Sequence, residues 1–254
     1  MRLSKRQQAS LQAMGIPIWV ERNPTAHPVT EPDAPLPEVL PVPETVPVEV
    51  LPEVVPENAP VEPQIDISTL NWEELRQTVS DCQACALAAG RTQAVFGVGD
   101  QNADWMVIGE GPGSEEDKQG EPFVGRAGQL LNKMLAAIGL RREQVYIANI
   151  VKCRPPQNRD PLPEESAACS AYLKRQIELV QPKVILVLGK VAAQNLLQKE
   201  DALGRLRGAP YLYADTGVPV IVTYHPAYLL RKPTDKRKAW EDLKLAVKLV
   251  GGAA

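Results

Sequence analysis

From about residue 67 onward, two hydrophobic periodicities alternate along the chain. Four apolar runs, Trp105–Gly109, Val145–Val151, Val184–Leu188 and Val220–Tyr224, are each bounded by Gly, Pro or charged residues and read as buried strands. Helical spacing lies between and after them. Arg126–Ile138 sets Leu130, Leu131, Met134, Leu135 and Ile138 on one face, and Pro163–Val180 opens with Pro followed by two Glu, a favourable first turn. Val191–Leu197 and Thr234–Leu249 complete the set. A shorter helix carrying Trp72, Leu75 and Val79, capped by Ser68, Thr69 or Asn71, runs straight into Cys82. Alternation of strand and helix predicts an α/β fold, a three-layer α/β/α sandwich around a central four-stranded parallel sheet. Functional residues are then expected at the carboxyl ends of the strands.

The pattern upstream is of another kind. Residues 23–66 contain twelve prolines interspersed with Glu and Val, a composition that blocks helix interiors and sheet ladders. They are expected to form a disordered, semi-rigid linker between the globular domain, residues 67–254, and a short N-terminal segment, residues 1–22. Leu11, Met14, Ile16, Ile18 and Trp19 read either as one short amphipathic helical turn, a candidate contact for a repair or replication protein, or, more simply, as part of a weakly ordered terminus.

Charge follows the same division. Residues 1–66 hold four Lys/Arg against ten Asp/Glu, and the remainder holds 24 against 21, so binding a polyanion calls for a local basic face. No apolar run is long enough to span a membrane and no signal peptide is visible, which predicts a soluble cytoplasmic protein, monomeric in the simplest case.

Four cysteines, Cys82, Cys85, Cys153 and Cys169, are too unevenly spread for a disulfide framework. A C-x2-C pair followed by cysteines after 67 and 15 further residues suits metal. Zinc and an iron–sulfur cluster both accept four thiolates; a 15-residue separation straddling Pro155, Pro156 and Pro161 favours a looser loop around a bulkier group.

Three further features stand at strand exits. Gly109–Gly113, GEGPG, would let backbone amides approach a ligand, though taken alone a plain tight turn is the better reading; it matches neither the dinucleotide fingerprint nor the phosphate loop. His225, followed by Pro226, is the one histidine outside the linker and is either a structural residue or a catalytic one. Asn149 is a polar residue in an apolar strand, needing either a partner on a neighbouring loop or a ligand edge with a donor beside an acceptor. Phe123 reads on its own as core packing.

Together these motifs resemble the family-four uracil-DNA glycosylases, the bacterial and archaeal type with a 4Fe–4S cluster. The resemblance runs from about Asp81 to Val250: the C-x2-C pair, GEGPG-x3-D, PFVGRAGQLL, ANIVKCRPPQNRDP, the fourth cysteine 15 residues on, and HPAYLL. It implies the glycosylase version of the three-layer fold, uracil-containing DNA as partner, and Cys82, Cys85, Cys153 and Cys169 as cluster ligands.

It also implies a uracil pocket. Phe123 is expected to stack on the flipped base, Asn149 to pair with its N3–H and O4 edge, and Glu116 to exclude a C5 methyl. His225 is expected to stay neutral and donate to uracil O2. Glu110 and the Gly111 backbone stand where water attacks, with Glu rather than the Asp of some related glycosylases. Leu229, Leu230 and Arg231 are expected to form a wedge in the duplex, with Arg231, Lys232, Lys236, Arg237 and Lys238 facing phosphates. Two alternatives remain: a covalent uracil-DNA binder, whose reactive histidine is absent from Cys153–Pro163, and a non-catalytic iron–sulfur protein.

Overall fold

A computed structural model describes residues 66–213 and 216–251; segment 1–22 and the linker up to residue 65 lie outside the described residues. Among the described residues the first α-helix, α1 (Trp72–Asp81), is capped by Asn71. Its side chain accepts from the amides of Glu73 and Glu74 while Glu74 reaches back to the Asn71 amide. Asp66 and Ser68 serve instead a single 3₁₀ turn, Ile67–Thr69.

Six strands follow: β1 (Val98–Gly99), β2 (Trp105–Gly109), β3 (Tyr146–Asn149), β4 (Val184–Leu188), β5 (Pro210–Leu212) and β6 (Pro219–Thr223), in the order β1-β3-β2-β4-β6-β5. The four expected strands form the parallel centre, β3-β2-β4-β6. The expected four-stranded sheet is thus a six-stranded mixed one, because β1 and β5 add short antiparallel edges. Two or three residues are too few to print a period-2 pattern. β3 is also shorter than the apolar run it comes from; beyond Asn149, Ile150 and Val151 still donate to the carbonyls of Gly109 and Glu110 as the chain leaves the sheet.

The helices are α2 (Ser114–Gln119), α3 (Arg126–Ala137), α4 (Pro163–Val180), α5 (Lys190–Leu197), α6 (Leu203–Leu206), α7 (Pro226–Arg231) and α8 (Lys236–Leu249). Alternate strand residues divide the core between them. Met106, Ile108, Ile185, Val187, Val220 and Val222 bury one sheet face with α1, α4 and α5. Trp105, Val107, Val184, Leu186, Leu188 and Ile221 bury the other with α3, α7 and α8. Each such side chain contributes about 1.5–3 kcal/mol on leaving water, which is why central strands apolar on both faces define a three-layer sandwich. The chain passes from β2 outward to β3 and then back across β2 to β4, so a crevice opens at the carboxyl ends of the central strands.

Candidate active site at the strand tips

That crevice holds a cavity of about 430 Å³, within the range of small-molecule sites. Glu110 and Gly111 reach it from the end of β2, Asn149 from the end of β3, and His225 from the end of β6. Glu116 on α2, Phe123 before α3, and Arg231 on α7 line the same space, whereas Leu229 and Leu230, expected beside Arg231, do not.

Phe123 sits in the left-handed region at φ 55°, rare for a bulky residue. Its loop is gripped from both sides. Arg142 donates to the carbonyls of Pro122 at 2.6 Å and Phe123 at 3.2 Å, and Glu116 Oε1 accepts from the amides of Val124 and Gly125, both at 3.0 Å. Gly128 lets the first turn of α3 pass directly against the Phe123 carbonyl, where any Cβ would collide with it. The resulting ring is buried, 5.5 Å from the His225 ring between centroids, and tilted 33° to it. Beneath it, a Cβ on Gly109 would fall 2.5 Å from Asn149 Oδ1 and 2.6 Å from Phe123 Cζ, so glycine at the β2 exit is what lets ring and carboxamide share one floor.

Asn149 is 1 % exposed, and its Oδ1 has no hydrogen-bond partner. Leaving a buried acceptor unmet costs about 1–3 kcal/mol, so an orphan oxygen at a cavity wall points to a ligand donor.

His225 caps α7. Its Nδ1 accepts from the Ala227 amide at 3.2 Å, and Pro226 takes the first helical position. A neutral ring that accepts at Nδ1 carries its proton on Nε2. Burial first, and the Arg231 charge second, hold this imidazole down to about 4, against an opposing pull from Glu116. It is therefore neutral at physiological pH.

Glu110 moves the other way. Burial, then the neighbouring Asp160 carboxylate, push it up to about 7. Asp160, Asn158 and Arg159 also line the cavity, and none of the three was expected there. They come from the loop after β3, which Arg159 and Glu165 pin through two contacts at 2.6 and 2.8 Å. The visible signal was their position just past a strand exit.

The wedge expectation needs correction at Leu229. That residue is 0 % exposed and packs in the core against α3 and α8, because α7 turns it inward; Leu230, at 37 %, and Arg231 are the exposed pair. Among the basic residues beyond, Lys238 is paired with Asp235 at 2.9 Å.

The four cysteines gather away from this cleft. Cys82 and Cys85 follow α1, Cys153 lies in the loop after β3, and Cys169 lies on α4; all four line one small cavity with Arg91, Lys152 and Tyr172. Arg91 donates to Cys153 Sγ at 3.0 Å, the Lys152 amide to Cys169 Sγ at 3.3 Å and the Ala84 amide to Cys82 Sγ at 3.5 Å. Among the described residues, no group of three or more His, Cys, Asp or Glu is gathered tightly enough for a single metal ion. Four thiols around one cavity, with N–H donors aimed at three of the sulfurs, are a donor set suited to a group held by four thiolates.

Residues 96–244 of the chain, which hold this sheet and its cleft, match the family model described as Uracil DNA glycosylase superfamily. The chain is 45 % identical over 185 residues to a type-4 uracil-DNA glycosylase of Archaeoglobus fulgidus, covering 70 % of this chain and 93 % of that protein. It is 47 % identical over 181 residues to the type-4 enzyme of Thermotoga maritima, covering 68 % and 94 %. Likeness to a type-5 uracil-DNA glycosylase of Pyrobaculum aerophilum is lower, 34 % over 146 residues, covering 52 % of this chain and 64 % of that protein. The chain belongs to the uracil-DNA glycosylase superfamily and, within it, to the type-4 uracil-DNA glycosylases.

Proposed function

We propose that this protein is a DNA-repair enzyme that hydrolyses the N-glycosidic bond of uracil flipped out of DNA and leaves an abasic site. The observation carrying this is the convergence of an aromatic ring, a carboxamide with an unpaired oxygen and a neutral imidazole on one cavity. Flipping costs a few kcal/mol, which stacking on Phe123 helps to offset. Asn149 Oδ1 accepts from uracil N3–H and its amide donates to O4; cytosine presents these groups reversed and leaves both unpaired. Glu116, fixed by two amides, cannot swing away from a thymine methyl.

As the C1′–N1 bond lengthens, negative charge grows on the base, and His225 Nε2–H donates to O2 where it accumulates. Glu110, poised near neutral pH, takes the proton of the water that bonds to C1′, with the Gly111 backbone beside it. Leu230 and Arg231 fill the vacated stack, and Arg231, Lys232, Lys236 and Arg237 meet phosphates. Cys82, Cys85, Cys153 and Cys169 hold a 4Fe–4S cluster, which when bound cross-links the end of α1, the loop after β3 and α4. Its role is structural, since glycosidic hydrolysis transfers no electrons.

The enzyme acts as a monomer in the cytoplasm or nucleoid. Among the described residues no helix is long and apolar enough to cross a membrane.

Incubation with an oligonucleotide carrying one uracil tests this reading. Alkali-labile abasic product from wild type, none from its thymine counterpart, and severe loss in His225→Ala and Asn149→Ala are expected. A stable protein–DNA crosslink, or intact DNA, overturns it.

A further inference from the structure

Lys152 has no duty in the reading above, yet it is 1 % exposed. Burying an ammonium is costly without compensating charge and hydrogen bonds. Its Nζ donates to two neutral oxygens, the Asn149 carbonyl at 2.9 Å and Gln176 Oε1 at 2.6 Å. Gln176 is itself locked, since its Nε2 donates to the Phe96 carbonyl at 2.9 Å and to Tyr146 Oη at 3.1 Å, leaving its oxygen for the lysine. The main chain of Lys152 faces the other site: its amide donates to Cys169 Sγ, its carbonyl accepts from the Val95 amide at 2.8 Å, and the next residue is Cys153. One residue thus touches a cluster sulfur through its backbone and the base-reading strand end through its side chain.

Charge explains why an ammonium is kept there. A cubane in its 2+ state bound by four thiolates carries net negative charge, and Lys152 and Arg91, on Cys153 Sγ, are the two cations set against it. We infer that Lys152 is a positioning residue linking the cysteine site to base recognition. The filled site holds the ammonium in place, and the ammonium fixes the Asn149 peptide from which the uracil-reading carboxamide projects. The inference rests on the uracil and cluster readings above.

Lys152→Met replaces the side chain with an unbranched apolar one of similar length. Four quantities are compared with wild type: cluster absorbance, cluster reduction potential, single-turnover cleavage, and the Kd for an oligonucleotide with 2′-fluoro-2′-deoxyuridine, which resists hydrolysis. We expect retained absorbance, a more negative potential because a cation is lost, and about tenfold weaker binding, the size of one hydrogen bond to a charged group. Cleavage at saturating enzyme should change much less than Kd.

Wild-type affinity in Lys152→Met overturns the link, whatever the potential does. If that variant fails to fold, Gln176→Met keeps the lysine and removes its shorter contact; a smaller affinity loss is expected, and none overturns the inference. Asn149→Ala separates the two layers. Wild-type affinity there sinks the uracil reading itself, whereas loss there with none in Lys152→Met sinks only this inference.

Discussion

The strand-tip cleft and the cysteine site both draw on the segment Asn149–Cys153, yet they treat polar groups in opposite ways. In the cleft, Asn149 Oδ1 is buried without a partner, and two titratable groups are driven in opposite directions, Glu110 up to about 7 and His225 down to about 4. At the cysteines, three of the four sulfurs already receive N–H donors from Arg91, Lys152 and Ala84. The first arrangement suits the transient ligand proposed for the cleft, and the second suits the permanently bound group proposed for the cysteines.

By this contrast, damage to the cleft should cost rate far more than stability, and damage to the cysteines should do the reverse. The largest effect belongs to His225→Ala. Removing a donor to a developing anion is expected to lower single-turnover cleavage about 100- to 1000-fold in a protein that still folds. Glu110→Gln follows, at roughly 100-fold. In wild type the rate should climb with pH as Glu110 ionises and level off above about 7. That limb should be missing from the variant, and its survival would assign the titration to another group.

Cys153→Ser should discharge visible absorbance and lower Tm by roughly 10 °C, by analogy with losing a covalent cross-link. Iron analysis and calorimetry check it. Arg142→Ala frees the carbonyls of Pro122 and Phe123 and should weaken uracil-DNA binding roughly tenfold, with little change in the saturated rate.

The smallest effect is on stability against pH. Glu110 is raised in the folded state, so its contribution falls as pH rises from its ordinary value of 4.5 to about 7. His225 is depressed, so its contribution grows as pH rises from about 4 to 6.5. The two oppose each other in wild type. Calorimetry should show His225→Ala losing stability, and Glu110→Gln gaining it, between pH 4.5 and 6.5 relative to wild type; parallel curves would contradict both shifts.

The parallel strands and long helices were legible because central strands are apolar on both faces and α3 and α4 carry a clear stripe or a Pro-Glu-Glu start. The polar positions at the strand ends were legible too, since Asn149 and His225 interrupt or terminate such runs. What escaped depends on the third dimension. Leu229 and Leu230 are adjacent and alike, and only the rotation of α7 separates core from surface. Arg142 looks like any charged residue before a strand, and its contact with the Phe123 loop lies about 20 residues away in sequence. The carboxylate of Asp160 is silent in a proline-rich loop until that loop folds over Glu110.

The strained backbone at Phe123 has an entropic consequence. Because Arg142, Glu116 and the first turn of α3 already hold the ring in place, no ordering of the loop remains to be done when a nucleotide arrives. A base entering the proposed pocket then bears no entropy cost for ordering that loop. For an enzyme surrounded by a vast excess of normal bases, a pocket built in advance spares that cost at every encounter.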